Sequence, residues 1–447
     1  MLDYEFWSAP TNDLSDWSSN GTNYSARQDP DYLNGFTYMY APDVVKGNDG
    51  RYYLYYCMSG EGKFTSPVHV AVCDTPDGRY EYYGIVRNGD GTAFTDNVTF
   101  DPAVINDNGT VRLYYGWSIA VDGNVVVDKE KLIEVQMWMF GKTRDQITAH
   151  DYGVMGSFVV SLGDDMLTVT TKPELVAPGQ FASQQTSFDG HAFFEGSSIR
   201  KIGDKYYFVY SSQHQHELCY ATSDYPDRDF VYGGVIVSNG DIGYNGRQEA
   251  DRVYITGNNH GSIECVDGQW YVFYHRHTHK TSFSRQACAE RIDISDDGSI
   301  DQVCITSCGL NGGALVAQGR YNATICCVLT NGKMPHTTVA EMTGDFPYIT
   351  DCVGVDFVTN LCNGCTVGYK YFVFDDSVSV VKLSIRGHFT GRIELFAENS
   401  VVGVADVQFD VKDWTEIAVP ICVTGTHALY IKIDGTGKFD LLFVAFE

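Results

Sequence analysis

Along the first two thirds of the chain, apolar and polar positions alternate in short runs, and the runs come in pairs. "APDVVKGNDGRYYLYYC" (41–57), "DPAVINDNGTVRLYYGW" (101–117), "GSSIRKIGDKYYFVYSS" (196–212) and "HGSIECVDGQWYVFYHR" (260–276) share one plan. A short first strand leads into a turn of Gly, Asp and Asn, and an aromatic-rich second strand follows with a period of two. That is the signature of a β-hairpin. The second strands begin near Tyr52, Val111, Tyr206 and Trp270, at intervals of 59, 95 and 64 residues. The long interval holds an insertion, roughly 118–150, with the acidic and apolar stretch "VDKEKLIEVQMWMF".

No segment of 1–310 has a sustained 3.6-residue period with caps, so no helix is expected there. Units of about sixty residues, each with two or more hairpins, fit the blades of a β-propeller. "VHVAVCDTPDGRYEYYG" (68–84) and "HELCYATSDYPDRDFVYGG" (216–234) read as the outer strands of such units. The opening "MLDYEFWSAPTNDLSDW" has the same build, but no inner pair stands before it. The chain therefore reads as all-β: a five-bladed β-propeller over 1–310, its first blade incomplete at the N-terminus. From about 340 a second series of alternating strands follows, among them "GYKYFVF", "SVVKLSIRG" and "HALYIKIDG". It predicts a β-sandwich of jelly-roll type over 319–447.

Charge and cysteine content narrow the partners. A formal charge of −26 argues against nucleic acid and against an anionic membrane surface. No basic n-region precedes an apolar stretch at the start, and no apolar run reaches the length of a membrane span. The thirteen cysteines are scattered, and the CxxC at Cys362 and Cys365 has no second pair or spaced histidines to complete a zinc site. Reduced thiols and a cytoplasmic location are expected. The 14% aromatic content suits half-buried strands and sugar faces alike.

In a propeller the first strand of each blade lines the central channel. Asp101 lies ten residues before Val111, Glu195 eleven before Tyr206, and His260 ten before Trp270. Three polar groups thus hold matching places in three blades. Carboxylates aimed into a shared cavity are costly unless paired or solvated, and two carboxylates near one axis are the equipment of glycoside hydrolysis. Taken singly, Asp101 also reads as a turn residue before Pro102, Glu195 as an exposed acid, and His260 as a structural histidine. Ser197 and Ser198 have no nucleophile elbow around them and read as packing residues. His275, His277 and His279 alternate on one face; a metal face would fit that pattern, but the third partner class is absent, and the face reads rather as a solvated rim strand.

At these residues the chain resembles glycoside hydrolase family 43, the five-bladed propeller glycosidases acting on plant pentosans. The resemblance covers roughly 1–310 through "APDVVKGNDGRYYLYY", "FDPAVINDNGTVRLYYG", "HAFFEGSSIRKIGDKYYFVYSS" and "NNHGSIECVDGQWYVFYHRHT". It implies an inverting enzyme with a general base, a carboxylate that tunes pKa and a general acid. Glu195 in "FFEGSS" matches the acid and Asp101 in "FDPAV" the tuner. Arg285 in "FSRQAC" resembles the family arginine that reaches the sugar, and Tyr40 and Asp43 fall where the family lines its pocket wall. His260 in "NNHGS" resembles the histidine beside the central cavity, which is associated with a structural calcium; no cofactor is implied for the chemistry itself. The family's base comes from the inner strand of the first blade, the strand this chain is expected to lack. The region 319–447 resembles carbohydrate-binding module family 6. Trp414 is its only tryptophan, so a docking role is expected there.

The expected function is exo-acting release of xylose, arabinofuranose or both from xylan-derived oligosaccharides, with a homo-oligomer left open. Two rivals stand beside it. One is a sugar-binding propeller whose catalysis is weak or lost without the base; the other is a transferase or different pentosidase using the same pocket.

Overall fold

Each predicted hairpin of the first 240 residues forms, and the turn residues explain the registers. The structure, a computed structural model, describes all residues except 34–36, 61–65, 122–127, 152 and 336–345. β1 (Asp3–Ser8) and β2 (Ser18–Ser25) make a two-stranded antiparallel sheet. β3 (Tyr38–Lys46), β4 (Tyr52–Ser59), β5 (His69–Cys73) and β6 (Glu81–Ile85) follow as a four-stranded meander. The next sheet begins with β7 (Ala103–Asp107) and β8 (Thr110–Trp117). Asn108 (φ 52°) and Gly109 (φ 89°) are both left-handed, the two-residue turn that suits strand twist and pairs Asp107 with Thr110.

Two helices, α1 (Lys129–Phe140) and α2 (Arg144–Thr148), interrupt this sheet before β9 (Gly156–Leu162) and β10 (Glu174–Pro178) complete it. The expectation of no helix is therefore corrected. Asp128 caps α1 by accepting from the Glu130 and Lys131 N–H groups, and left-handed Gly141 ends it. The face that α1 buries is narrow, Ile133, Gln136 and Phe140, while Val135, Met137 and Trp138 stay exposed. That mixture blurred the period. A third meander runs through β11 (Phe193–Ile202), β12 (Lys205–Ser212), β13 (Glu217–Ser223) and β14 (Val231–Ser238).

In each meander the first strand is innermost. β3 lies beside β7, β7 beside β11, and β11 beside β15 (Ser262–Val266). This is a β-propeller arrangement, and its cores lie between sheets. On β4, Tyr53 and Tyr55 point into a cluster shared with Val104, Leu113 and Tyr115, while Leu54 and Tyr56 point the other way, toward Tyr4 and Tyr24. Burial on both faces is why these strands are continuously apolar and why tyrosine suits them. The ring fills the core, and the hydroxyl finds a partner, as Tyr55 does at Met166 O (2.7 Å) and Tyr210 at His191 O (2.7 Å).

The chain separates into two compact units. The first is Met1–Ile236, His260–Gly268 and Ile294–Ile300; the second is Val237–Asn259, Gln269–Asp293 and Asp301–Glu447. In the second unit β16 (Gln269–His277) pairs antiparallel with β17 (Arg285–Ile292). His277 on β16 is buried, with Nε2 2.7 Å from Asn258 Oδ1, so this face is not the solvated rim its alternation suggested. The C-terminal region forms a nine-stranded sheet. Its shorter strands are β18 (Leu315–Val316), β19 (Gly319–Asn322), β20 (Val328–Thr330), β21 (Tyr348–Cys352), β22 (Val355–Leu361) and β23 (Thr366–Phe374). Three long strands, β24 (Val380–Ala397), β25 (Ser400–Pro420) and β26 (Gly425–Phe446), complete it, with β24 paired to both others. Trp414 on β25 is packed against Phe357 with the Arg386 guanidinium 4.4 Å over its ring. None of the thirteen cysteines is in a disulfide, and Cys362 Sγ lies 3.8 Å from Cys365 Sγ.

Candidate active site

A left-handed residue lies in or just before the innermost strand of each of the three four-stranded sheets. Ala41 (φ 40°), Asp101 (φ 44°) and Gly196 (φ 74°) fall eleven, ten and ten residues before Tyr52, Val111 and Tyr206. For Ala41 and Asp101 such a backbone stores on the order of 1–3 kcal/mol, a feature that clusters at working sites. Here the bends bring side chains from separate sheets together.

Asp101 is almost wholly buried, and its Oδ2 accepts the N–H of Gly196 at 2.9 Å. Gly196 directly follows Glu195, so the carboxylate on one strand is tied to the backbone beside the carboxylate on the next. Glu195 is half-buried, and its Oε2 accepts from Nε1 of Trp117 at 3.0 Å. Gly196 leaves little room for a side chain: a Cβ there would lie 3.1 Å from Cγ and Cδ2 of His260. Sequence register thus placed Asp101, Glu195 and His260 in one neighbourhood, and the structure brings them together.

The surroundings of Asp101 are apolar and crowded. The Tyr40 ring faces Phe100 at 5.8 Å, and the Tyr40 carbonyl accepts from the Tyr4 hydroxyl at 3.2 Å. Burial, then the charges of Asp101 and Glu195, push the Cys57 thiol well above its ordinary range. Burial, Cys57 and Asp101 do the same to Tyr4. Neither group competes for the proton of a carboxyl near neutral pH. Asp43 has a different use. Its two oxygens accept the N–H groups of Val44 (3.0 Å) and Val104 (2.8 Å), clamping β3 to β7, while burial raises its carboxyl. Ser198 Oγ meets Ser262 Oγ at 2.9 Å, a packing contact between β11 and β15.

Trp117 connects the insertion to the site. Its indole lies 5.9 Å from the ring of Phe140 on α1 and 5.6 Å from Phe194. Ile133, Phe140 and Ile147 from the two helices join Val98, Val154 and Met155 in the core beneath it. An open cleft of about 590 Å³ in the same unit, with Phe181, Phe188 and Phe230 in its walls, takes in none of Tyr40, Asp101, Glu195 or His260. In the second unit Arg285 begins β17, donates from Nε to Ser282 O at 3.1 Å and lies beside His277. Burial and then the Arg285 charge hold His277 at about 4, so it is neutral near pH 7.

A family model for glycosyl hydrolases family 43 matches residues 4–127 and 118–300. The chain belongs to that family. A xylosidase/arabinosidase of Thermoclostridium stercorarium is 41% identical over 458 residues, covering 99% of this chain and 89% of its own. An arabinoxylan arabinofuranohydrolase of Paenibacillus polymyxa is 25% identical over 433 residues, covering 89% of this chain and 58% of its own. Among solved structures, a family 43 enzyme of Xanthomonas citri complexed with xylose covers 68% of this chain and 81% of its own, at 23% identity and a TM-score of 0.48.

In this family 43 glycosidase, sequence register missed Trp117, Gly196 and Tyr4. Trp117 had a signal, a tryptophan closing "VRLYYGW" on the strand next to an inner one, but its donor role depends on a contact 78 residues away. For the family calcium, the fit at His260 is thin. Calcium takes six to eight oxygens, and among the described residues no group of three metal-ligating side chains includes His260. His260 would offer such an ion one imidazole nitrogen.

Proposed function

We propose that this glycosidase is an inverting, exo-acting enzyme releasing xylose, arabinofuranose or both from xylan-derived oligosaccharides. The reading places the five-bladed propeller over 1–310 and a β-sandwich over 319–447. The observation that carries it is the tie from Asp101 Oδ2 to the N–H of Gly196, which keeps a buried carboxylate beside the residue that bears the acid. Glu195 donates its proton to the leaving glycosidic oxygen. The negative charge of Asp101 opposes ionisation of Glu195 and so keeps it protonated. Trp117 donates to Oε2 of Glu195 and so holds the carboxyl in orientation. The base that activates water on the opposite sugar face is assigned by family resemblance to the inner strand of the first blade. Relatives named xylosidase/arabinosidase support the pentose, and two carboxylates with water need no cofactor.

The test is turnover of aryl β-xyloside, aryl α-arabinofuranoside and xylobiose, with NMR following the first anomer released. Inverted product is the expected result. Tight sugar binding without turnover would replace this reading with that of a lapsed, sugar-binding propeller.

A further inference from the structure

We propose a divalent transition-metal site, of the zinc class, formed by Asp29, Asp31 and His69 where the segment after β2 meets β5. It is separate from the Glu195 site: His69 begins β5, the third strand of its sheet, whereas the carboxylates of the active site stand at the innermost strands.

Three observations converge on it. His69 is fully buried, and neither of its ring nitrogens has a hydrogen-bond partner. Nδ1 lies 2.8 Å from Asp29 Oδ2, an ion-pair approach, and Nε2 lies 3.9 Å from Asp31 Oδ2. A buried imidazole with both nitrogens unsatisfied is rare and costly. Second, one ligand atom from each of the three side chains falls within 4.8 Å of the others. Tetrahedral donors at about 2.1 Å from an ion lie about 3.4 Å apart, between the 2.8 and 3.9 Å contacts that His69 makes with Asp29 and Asp31. Third, the carboxylates have no other cation: among the described residues, no Lys or Arg forms an ion pair with Asp29 or Asp31. Two carboxylates, buried Asp29 and exposed Asp31, face one buried imidazole, and a divalent ion would neutralise their charge.

The donors select the metal. One imidazole and two carboxylates suit zinc and its neighbours, whereas calcium prefers an all-oxygen cage. The outer contacts are also in place. The Tyr56 hydroxyl donates to Asp29 Oδ2 and meets the Tyr24 hydroxyl at 2.8 Å, and the N–H of Asp31 donates to Asp29 Oδ1 at 2.8 Å. These bonds orient the first carboxylate and fold Asp31 back toward it. The Asp31 side chain is 66% exposed, which leaves a path for the ion. The ion's work would be structural, fastening the 26–31 segment to β5.

The test uses the full chain, stripped with chelator and titrated with Zn²⁺ by calorimetry and with Co²⁺ by visible absorption. One equivalent should bind, raising Tm, with cobalt bands that lack thiolate charge transfer. Asp31→Ala, at an exposed position, should keep the fold and weaken binding roughly a hundred-fold, and His69→Gln should abolish it. If His69→Gln does not fold, Asp31→Ala alone decides. A second cluster, His191, Glu217 and Cys219, serves as the control, and Glu217→Gln should leave binding unchanged. Absent binding, binding indifferent to Asp31→Ala, or binding lost in Glu217→Gln with a thiolate band would each overturn the proposal.

Discussion

Nε1 of Trp117 donates to Oε2 of Glu195 at 3.0 Å, so a residue on β8 orients the proposed acid at the start of β11. Trp117→Phe keeps a ring against Phe140 and Phe194 but removes the donor. As Glu195 gives up its proton, this N–H meets a developing negative charge, where a hydrogen bond is worth about 1.5–3 kcal/mol, so kcat should fall roughly ten-fold or more. The N–H favours the ionised carboxylate, so without it the alkaline limb of the pH–rate profile should move upward. An unchanged rate and limb in a folded variant would reduce Trp117 to packing.

Glu195→Gln should lower turnover of xylobiose by two to four orders of magnitude, about the span of a general acid. Aryl substrates with very good leaving groups should suffer much less, because their departure needs little protonation. Equal losses on both substrate types would argue for a fault in binding instead.

Asp101→Asn removes the negative charge next to the acid. Glu195 should then ionise at lower pH, so the alkaline limb moves down while the rate falls. A slower enzyme with an unmoved limb would make Asp101 a turn residue only.

Gly196→Ala combines a left-handed backbone at φ 74° with a Cβ 3.1 Å from the His260 ring. It should destabilise the fold by roughly 1–3 kcal/mol, read as a lowered Tm, and disturb the hydrogen bond to Asp101. Full stability with full activity would mean that the loop relaxes freely around the added methyl.

Glu290 gives a pH dependence of stability that is independent of catalysis. Burial raises its carboxyl to about 7, although it accepts from the Thr306 N–H (2.7 Å) and the Tyr274 hydroxyl (3.0 Å). Its ordinary value is 4.5, so between 4.5 and 7 the folded state binds more protons than the unfolded. The stabilisation is therefore complete below 4.5 and is lost as pH rises through about 7, a change on the order of 3 kcal/mol. Glu290→Gln should flatten the Tm profile across that window. The same slope in mutant and parent would assign the effect elsewhere.

The hairpins were legible because their turns carry Asn-Gly and Gly-Asp pairs, and because burial on both faces wrote continuous aromatic runs into β4, β8 and β12. Asp101, Glu195 and His260 were legible because repeats convert sequence register into spatial register. What lay outside the repeat was not. α1 declares its ends at Asp128 and Gly141, but with three buried positions against exposed Val135, Met137 and Trp138 it has no clear apolar stripe. Trp117 and the Asp29–His69 cluster depend on side chains meeting across long loops, and no local pattern marks such meetings. Asp43 looked like a pocket wall by resemblance, and its clamp on Val104 follows only from the approach of β3 to β7.

The helical insertion enters between the second and third strands of a sheet whose backbone ladder closes without it. A change on its exposed face therefore need not unzip a blade, while Phe140 still leans on the indole that steers Glu195. Variation there would be heard first in the aim of the proton donor. This makes the insertion a tuning peg for leaving-group preference, turned from outside the strand ladder of its blade.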